Sequence, residues 1–471
     1  MTVPFYSKPA TMLSVSSYDL QAMQLFFQSG QTLSYEFRKR KLQKLYTVIK
    51  MHEQEITEAL YLDLRKSEAE AYTAEIGFVY NEIKHALKHL ESWMEPETVS
   101  TPAILQPSTS MILRDPLGLV LIVAPWNYPF QLSISPLIGA IAGGNCAILK
   151  PSEFTPHTSK LIYQLITSNF SNRFLNVVLG DGATVIPDLL QRATFNHLFF
   201  TGGTSVGTLV AKLAAEKLIP TTLELGGKSP CIVCADADIE VAAKRIVWGK
   251  FTNAGQTCVA PDYVLVQTTQ KEALVTAMKK YIQLFYTHNP QESSDYGRII
   301  HLQHFKRLVS YLQYGTIVEG GKADADDLYL QPTLIELEHT HLPLMKEEIF
   351  GPILPIISFD AEEQAMAIVQ QNPNPLSLYL FSNNLQTQHR FTHKLSFGGG
   401  CINNTLVHLA NPQLPFGGVS ASGMGQYHGK HSFATFTRAK SILKSATWID
   451  PAIKYPPYSN KLKWIKMLLG S

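Results

Sequence analysis

Cys258 has the residue type and setting best suited to covalent chemistry, at the end of Phe251-Thr-Asn-Ala-Gly-Gln-Thr-Cys258. The segment follows an expected helix, and its small residues leave the thiol accessible. A free thiol of pKa ~8.5 is only a few per cent thiolate at neutral pH, so a catalytic one needs activation. A buried structural role is the commoner fate of a single cysteine, but its companions weigh against that here. Glu224, in Thr221-Thr-Leu-Glu-Leu-Gly-Gly-Lys228, puts a carboxylate among apolar strand positions. A raised pKa there suits general-base work on water; the bland alternative is a pair with Lys228. Asn127, in Pro125-Trp-Asn-Tyr-Pro129, carries an amide able to stabilise an oxyanion. Losing one such donor costs about 2.7–4 kcal/mol of barrier.

Phosphate binding has a weaker signature. Thr201-Gly-Gly-Thr-Ser-Val-Gly207 follows an expected strand and opens a helix, whose free N–H groups suit a pyrophosphate. Many glycine-rich strand–helix turns bind nothing, so this segment alone decides little. Gly180-Asp-Gly182 begins like a dinucleotide fingerprint, but Val185 takes the third glycine's place. Cys231 and Cys234 have no second pair at zinc-ligand spacing and read as opposite faces of one strand in the core. The histidines are scattered without ligand spacing, and no metal is expected.

The elements that must position these residues alternate. The apolar run from Leu117 to Ala124, a helix near 131–141, and the runs at 146–149 and 196–200 describe a parallel sheet covered by helices. Ligands gather at the carboxyl ends of such strands, where Lys150, Glu153 and the Gly202-Gly203 turn lie. Alternation resumes from Thr221 to about Pro415, enough for a second α/β unit. Residues 33–93 read as helical, and residues 99–114 as an exposed hairpin. The tail ends in an amphipathic stretch, 461–469, far too short to span a bilayer at ~1.5 Å per residue; it is expected to pack on a neighbouring surface.

A chain of 471 residues is long enough for about three domains. It is 45% hydrophobic with a formal net charge of +2, which gives no electrostatic footprint for nucleic acid or an acidic partner. The basic run Arg38-Lys39-Arg40-Lys41 reads as a solvated helix face. An odd count of five cysteines implies no disulfide framework and fits a reducing cytoplasm. The N-terminus shows no secretory signal, and no stretch approaches the ~20 apolar residues of a spanning helix.

Phe200-Thr-Gly-Gly-Thr-Ser-Val-Gly207, Leu223-Glu-Leu-Gly-Gly-Lys228, Asn253-Ala-Gly-Gln-Thr-Cys258, Glu347-Glu-Ile-Phe-Gly-Pro352 and Pro415-Phe-Gly-Gly418 occur in this order. Together they resemble the aldehyde dehydrogenase superfamily over nearly the whole chain. Ala260-Pro-Asp-Tyr263, Met424-Gly-Gln-Tyr-His-Gly-Lys430 and Tyr455-Pro-Pro-Tyr458 look like its class 3 branch, known for medium- and long-chain or aromatic aldehydes. The resemblance implies NAD(P)-dependent oxidation of an apolar aldehyde to its acid. It also implies a Rossmann-like cofactor domain (1–98 and 117–223), an α/β catalytic domain (224–420), a small β oligomerisation domain (99–116 and 421–450), a tail (451–471) and a homodimer.

Carried over by position, Cys258 is the nucleophile and Glu224 the base; Asn127 and the Cys258 backbone N–H form the oxyanion hole. Lys150 and Glu153 reach the adenosine ribose, while Gly202, Gly203, Thr204 and Gly207 face the pyrophosphate. Trp126 lines the cofactor, Glu348 and Phe350 position the nicotinamide ribose and ring, and Tyr128 lines the aldehyde channel. Gly203 departs from the family, which often has a polar side chain there. The implied chemistry is thiolate addition, hydride departure to nicotinamide and hydrolysis of a thioester. A carboxylate at Glu153 would repel a 2′-phosphate, so NAD is expected first and NADP second. A CoA-acylating enzyme commonly lacks a glutamate matching Glu224, and an inactive binding protein would be expected to lose the thiol or the base.

Overall fold

The computed structural model describes residues 19–469; the N-terminal stretch read for a leader lies outside them. The first sheet has six strands, in the order Gly423–Met424, Thr221–Glu224, His197–Thr201, Leu119–Val123, Cys146–Lys150 and Leu175–Val177. All are parallel except the Gly423–Met424 edge. Leu119–Val123 and Cys146–Lys150 are buried throughout, which explains their unbroken apolar character. From Leu119–Val123 the chain winds outward in one direction, then returns to the other side at His197–Thr201. The order therefore reverses between these neighbours, and the crevice at their carboxyl ends is where such sheets bind ligands. Helix Gln131–Ala142, buried at every position, fixes the turn that leaves the first of them.

The second sheet has seven strands, in the order Thr316–Glu319, Thr333–Glu336, Ile353–Phe359, Tyr263–Gln267, Pro230–Val233, Ser377–Phe381 and Gly399–Ile402. Cys258 lies just before Tyr263–Gln267, and Glu348 and Phe350 just before Ile353–Phe359. This unit thus presents the amino ends of its strands where the first presents carboxyl ends. The α/β architecture agrees with the sequence.

Glu97–Val99, Ser108–Pro116 and Thr437–Ser445 form a separate antiparallel sheet. The expected unit of residues 421–450 divides, because Gly423–Met424 pairs with Leu223 and Glu224 in the first sheet. The N-terminal helical stretch is also less regular than its periodicity suggests. Arg65 takes a left-handed conformation at the end of Glu53–Leu64, and a π-helical turn, Tyr72–Ile76, precedes Gly77–Met94.

One surface expectation fails. Arg38 is not on a solvated face: it is 2% exposed, and its guanidinium donates to the Thr32 and Ala142 carbonyls at 2.9 and 3.0 Å. In the tail helix Leu462–Leu469, Leu462, Trp464, Met467 and Leu469 are exposed on this chain. Among the described residues no helix is long and apolar enough to cross a membrane.

Candidate active site

Two cavities meet at Cys258. The narrower, about 260 Å³, is walled by Trp126, Asn127, Gly202, Gly203, Glu224, Glu348 and Phe350, among others. The wider, about 660 Å³, runs past Tyr128, Phe78, Trp248, Phe285 and Tyr286. Cys258, Leu132, Phe416 and Tyr427 line both.

The loop that presents Cys258 is held away from relaxed backbone. Asn253, Ala254 and Gly255 all have positive φ, at 55, 50 and 74°. A Cβ on Gly255 would stand 2.3 Å from the Gly351 carbonyl oxygen, so no side chain fits. Non-glycine residues in this region cost of order 1–3 kcal/mol each and persist only where their surroundings enforce them. The Gln256 side chain does so, donating to the Asn253 and Arg298 carbonyls and accepting from the Ile300 N–H. Burial, then the nearby Glu348 and Glu224 carboxylates, push the Cys258 thiol up to about 12. The protein alone therefore stabilises the neutral thiol.

Glu224 ends its strand with both carboxylate oxygens buried and without a hydrogen-bond partner. Burial holds its pKa well above the ordinary carboxylate value. Glu224 does not pair with Lys228: neither of its oxygens has a partner, and the Lys228 ammonium donates to Asp262 and to the Leu344 carbonyl instead. Asn127 is 3% exposed and donates through Nδ2 to the Gln256 carbonyl at 3.1 Å, which leaves its second amide hydrogen for another acceptor. Tyr128 and Thr257 share a hydrogen bond of 2.6 Å between their hydroxyls.

Trp126 meets the Phe350 ring edge-on, with centroids 5.3 Å apart. Phe350 has φ 54°, and its segment is held by Arg307, which donates to the Glu348 and Ile349 carbonyls, and by Asp262, which accepts the Ile349 N–H. The Phe350 carbonyl lies 2.8 Å from His304 Nε2. Burial and Asp262 raise Glu348 to about 8.

The glycines of the phosphate turn serve different ends. A Cβ on Gly203 would meet nothing within 4 Å, so the space a polar side chain could occupy is open. Gly203 precedes helix Thr204–Ala215 without a side-chain cap, leaving the first amides to another acceptor. Gly207 instead serves packing, because a Cβ there would come within 2.4 Å of Leu225. Lys150, Glu153, Thr204 and Gly207 do not wall the narrower cavity. Lys150 pairs with Glu153, whose other oxygen accepts the Gly182 N–H at 3.0 Å. The failed fingerprint glycine thus belongs to this cluster, at the carboxyl end of Cys146–Lys150.

The aldehyde dehydrogenase family model matches residues 19–442. This chain belongs to the aldehyde dehydrogenase family. It is 50% identical over 451 residues to a 4,4'-diaponeurosporen-aldehyde dehydrogenase of Staphylococcus aureus, covering 95% of this chain and 97% of that one. It is 42% identical to aldehyde dehydrogenase family 3 member B3 of Mus musculus, with 94% of each covered. A solved substrate-bound state of Staphylococcus aureus AldH superposes with a TM-score of 0.93 at 49% identity, covering 95% of this chain and 98% of that one. As an aldehyde dehydrogenase, the protein oxidises aldehydes to carboxylic acids with NAD(P).

The sequence did not single out the groups that hold this dehydrogenase's site from behind. Lys66, Glu75, His304 and Arg307 carry no motif of their own, and Asn253 was quoted only as part of the segment that ends in Cys258. Asp262 stood in a quoted segment, but only as a family mark.

Proposed function

We propose that Cys258 is the nucleophile of this aldehyde dehydrogenase and that its two cavities divide the reactants. The observation that carries this reading is the sulfur's place where a glycine-edged cleft opens into an apolar chamber. The cleft suits a dinucleotide: Gly203 leaves open space beside uncapped helix amides, Trp126 and Phe350 offer ring surfaces, and the Thr201 hydroxyl is buried without a partner. Trp126, Gly202, Gly203, Thr204, Glu348 and Phe350 would hold it, with Lys150 and Glu153 at the ribose and Gly207 allowing the close helix packing. When bound, nicotinamide supplies the hydride acceptor.

The residues then act in turn. The Cys258 thiol releases its proton to solvent, and the thiolate forms a carbon–sulfur bond to the aldehyde carbon as the carbonyl π bond opens onto oxygen. The free Asn127 amide hydrogen and the Cys258 backbone N–H take the developing oxyanion. Glu224 activates the water that hydrolyses the thioester; burial raises its pKa, which makes its carboxylate the stronger base. Glu224 also favours hydrolysis over transfer to CoA; turnover that required added CoA would contradict this. Cys258→Ala should abolish turnover while the dinucleotide still binds. Substantial turnover in that variant would remove Cys258 from the role.

The wider chamber supports an apolar aldehyde, with Tyr128 beside its inner end. At about 660 Å³ it has room for a long chain, and the similar Staphylococcus aureus protein is named for 4,4'-diaponeurosporen-aldehyde. NAD is the preferred cofactor on the strength of Glu153, with NADP as an alternative. Thr437–Ser445 is an edge strand with Ile442 and Leu443 exposed, and such an edge invites cover; this supports a homodimer, testable by light scattering. Free thiols at all five cysteines fit a cytoplasmic setting.

A further inference from the structure

Behind the chamber lies a buried ion pair that the mechanism above does not use. Lys66 and Glu75 form a salt bridge with both side chains fully inaccessible. A buried ion pair is a weak source of stability, since well-packed apolar residues often do as well. Its position suggests another reason for it. Lys66 Nζ donates to the Asn127 backbone carbonyl at 2.8 Å and sits 4.0 Å over the centre of the Tyr128 ring. Glu75 Oε2 accepts the Phe130 and Gln131 N–H groups at 2.9 and 3.1 Å. The pair therefore grips residues 127 to 131 from both ends. Glu75 stands on the π-helical turn Tyr72–Ile76, and such turns inside α-helices are frequent at functional sites.

We propose that Lys66, oriented by Glu75, is a positioning residue that sets the oxyanion donor Asn127, a role that rests on the reading of Asn127 given above. One Asn127 amide hydrogen is committed to the Gln256 carbonyl, so the direction of the other follows from where the peptide at 127 sits. The Asn127 carbonyl receives Lys66 Nζ and Asn253 Nδ2, both at 2.8 Å. The ammonium also fixes the Tyr128 ring, whose hydroxyl bonds Thr257 next to Cys258. Without Lys66, Asn253 still holds the carbonyl, so the turn shifts rather than collapses. A misplacement of ~1 Å can cost on the order of 10²-fold in rate.

The test is a double-mutant cycle of wild type, Lys66→Met, Asn127→Ala and the double variant. It reads kcat/KM for the aldehyde at saturating dinucleotide, with dinucleotide affinity measured by fluorescence titration. Lys66→Met should lower kcat/KM roughly 10- to 100-fold with dinucleotide affinity nearly unchanged. In the Asn127→Ala background the same substitution should cost less than about threefold, because coupled residues are not additive. A general structural role would not give that coupling. Full multiplication of the two losses, or a Lys66→Met enzyme close to wild type, overturns the proposal. If Asn127→Ala alone leaves the rate nearly intact, the oxyanion reading fails first and the proposal with it, an outcome distinct from full multiplication. Should Lys66→Met not fold, Glu75→Gln takes its place in the cycle, keeping an oxygen for the Phe130 and Gln131 amides while removing the charge that orients Lys66. The same coupling is expected there.

Discussion

The two cavities that share Cys258 are built in opposite ways. The narrower is edged by backbone and by side chains at strand ends: Gly202 and Gly203 after His197–Thr201, Trp126 after Leu119–Val123, and Glu348 and Phe350 before Ile353–Phe359. The wider is assembled from side chains spread between Ser67 and His428, mostly apolar and drawn from helices and loops. A wall of backbone and strand ends is hard to vary without losing the fold, whereas a wall of helix side chains can be changed one residue at a time. On the proposed division of the reactants, this contrast lets the cofactor side stay fixed while the aldehyde side varies.

Substitutions at Cys258, and at Glu224 and Asn127 beside it in the narrower cavity, should have the largest effects and should act on every aldehyde alike. Cys258→Ser should reduce turnover by roughly 10⁴-fold or more for every aldehyde. Glu224→Gln should lower steady-state kcat by about 10²–10⁴-fold, yet stopped-flow absorbance at 340 nm should still show a first-turnover burst. Loss of the burst would move Glu224 to an earlier step. Asn127→Ala should cost about 10²–10³-fold in kcat/KM.

Smaller effects should separate the two cavities. Trp248 walls only the wider one, so Trp248→Ala should change the ratio of kcat/KM between long and short aldehydes by about tenfold with the KM for NAD unmoved. Equal loss for both chain lengths would argue against the chamber as the aldehyde site. Glu153→Ala should narrow the preference for NAD over NADP by a few-fold without altering chain-length selectivity. A pH measurement addresses the sulfur itself. With the thiol of the free enzyme pushed up to about 12, the thiolate is the minor form throughout the neutral range. Alkylation by iodoacetamide should therefore rise about tenfold per pH unit between about pH 7 and 9. A plateau near neutrality would mean that the protein alone ionises Cys258.

The contrast also sets what the sequence could reveal. Gly202, Gly203, Glu224 and Cys258 leave local marks, because a glycine pair between a strand and a helix, or a carboxylate in an apolar strand, shows within a few residues. The sheet was legible for the same reason, since each buried strand is a short apolar run. Lys66 and Glu75 were not legible. They sit at irregularities, beside the left-handed Arg65 and on the π turn, that hydrophobic periodicity smooths over, and their partners among residues 127–131 lie more than fifty residues away. Arg38 was misread because a basic run looks solvated until a helix terminus, here the Ala142 carbonyl, supplies acceptors from elsewhere in the chain. The chamber was invisible as a whole, since no local pattern records which distant side chains converge.

Intact-protein and peptide mass spectrometry of Glu224→Gln, quenched during turnover with an aldehyde and NAD, examines the covalent step itself. The sulfur of Cys258 should carry the acyl mass of the substrate as a thioester. An unmodified Cys258, or the acyl group on Cys146, Cys231, Cys234 or Cys401 instead, would contradict the role given to that residue.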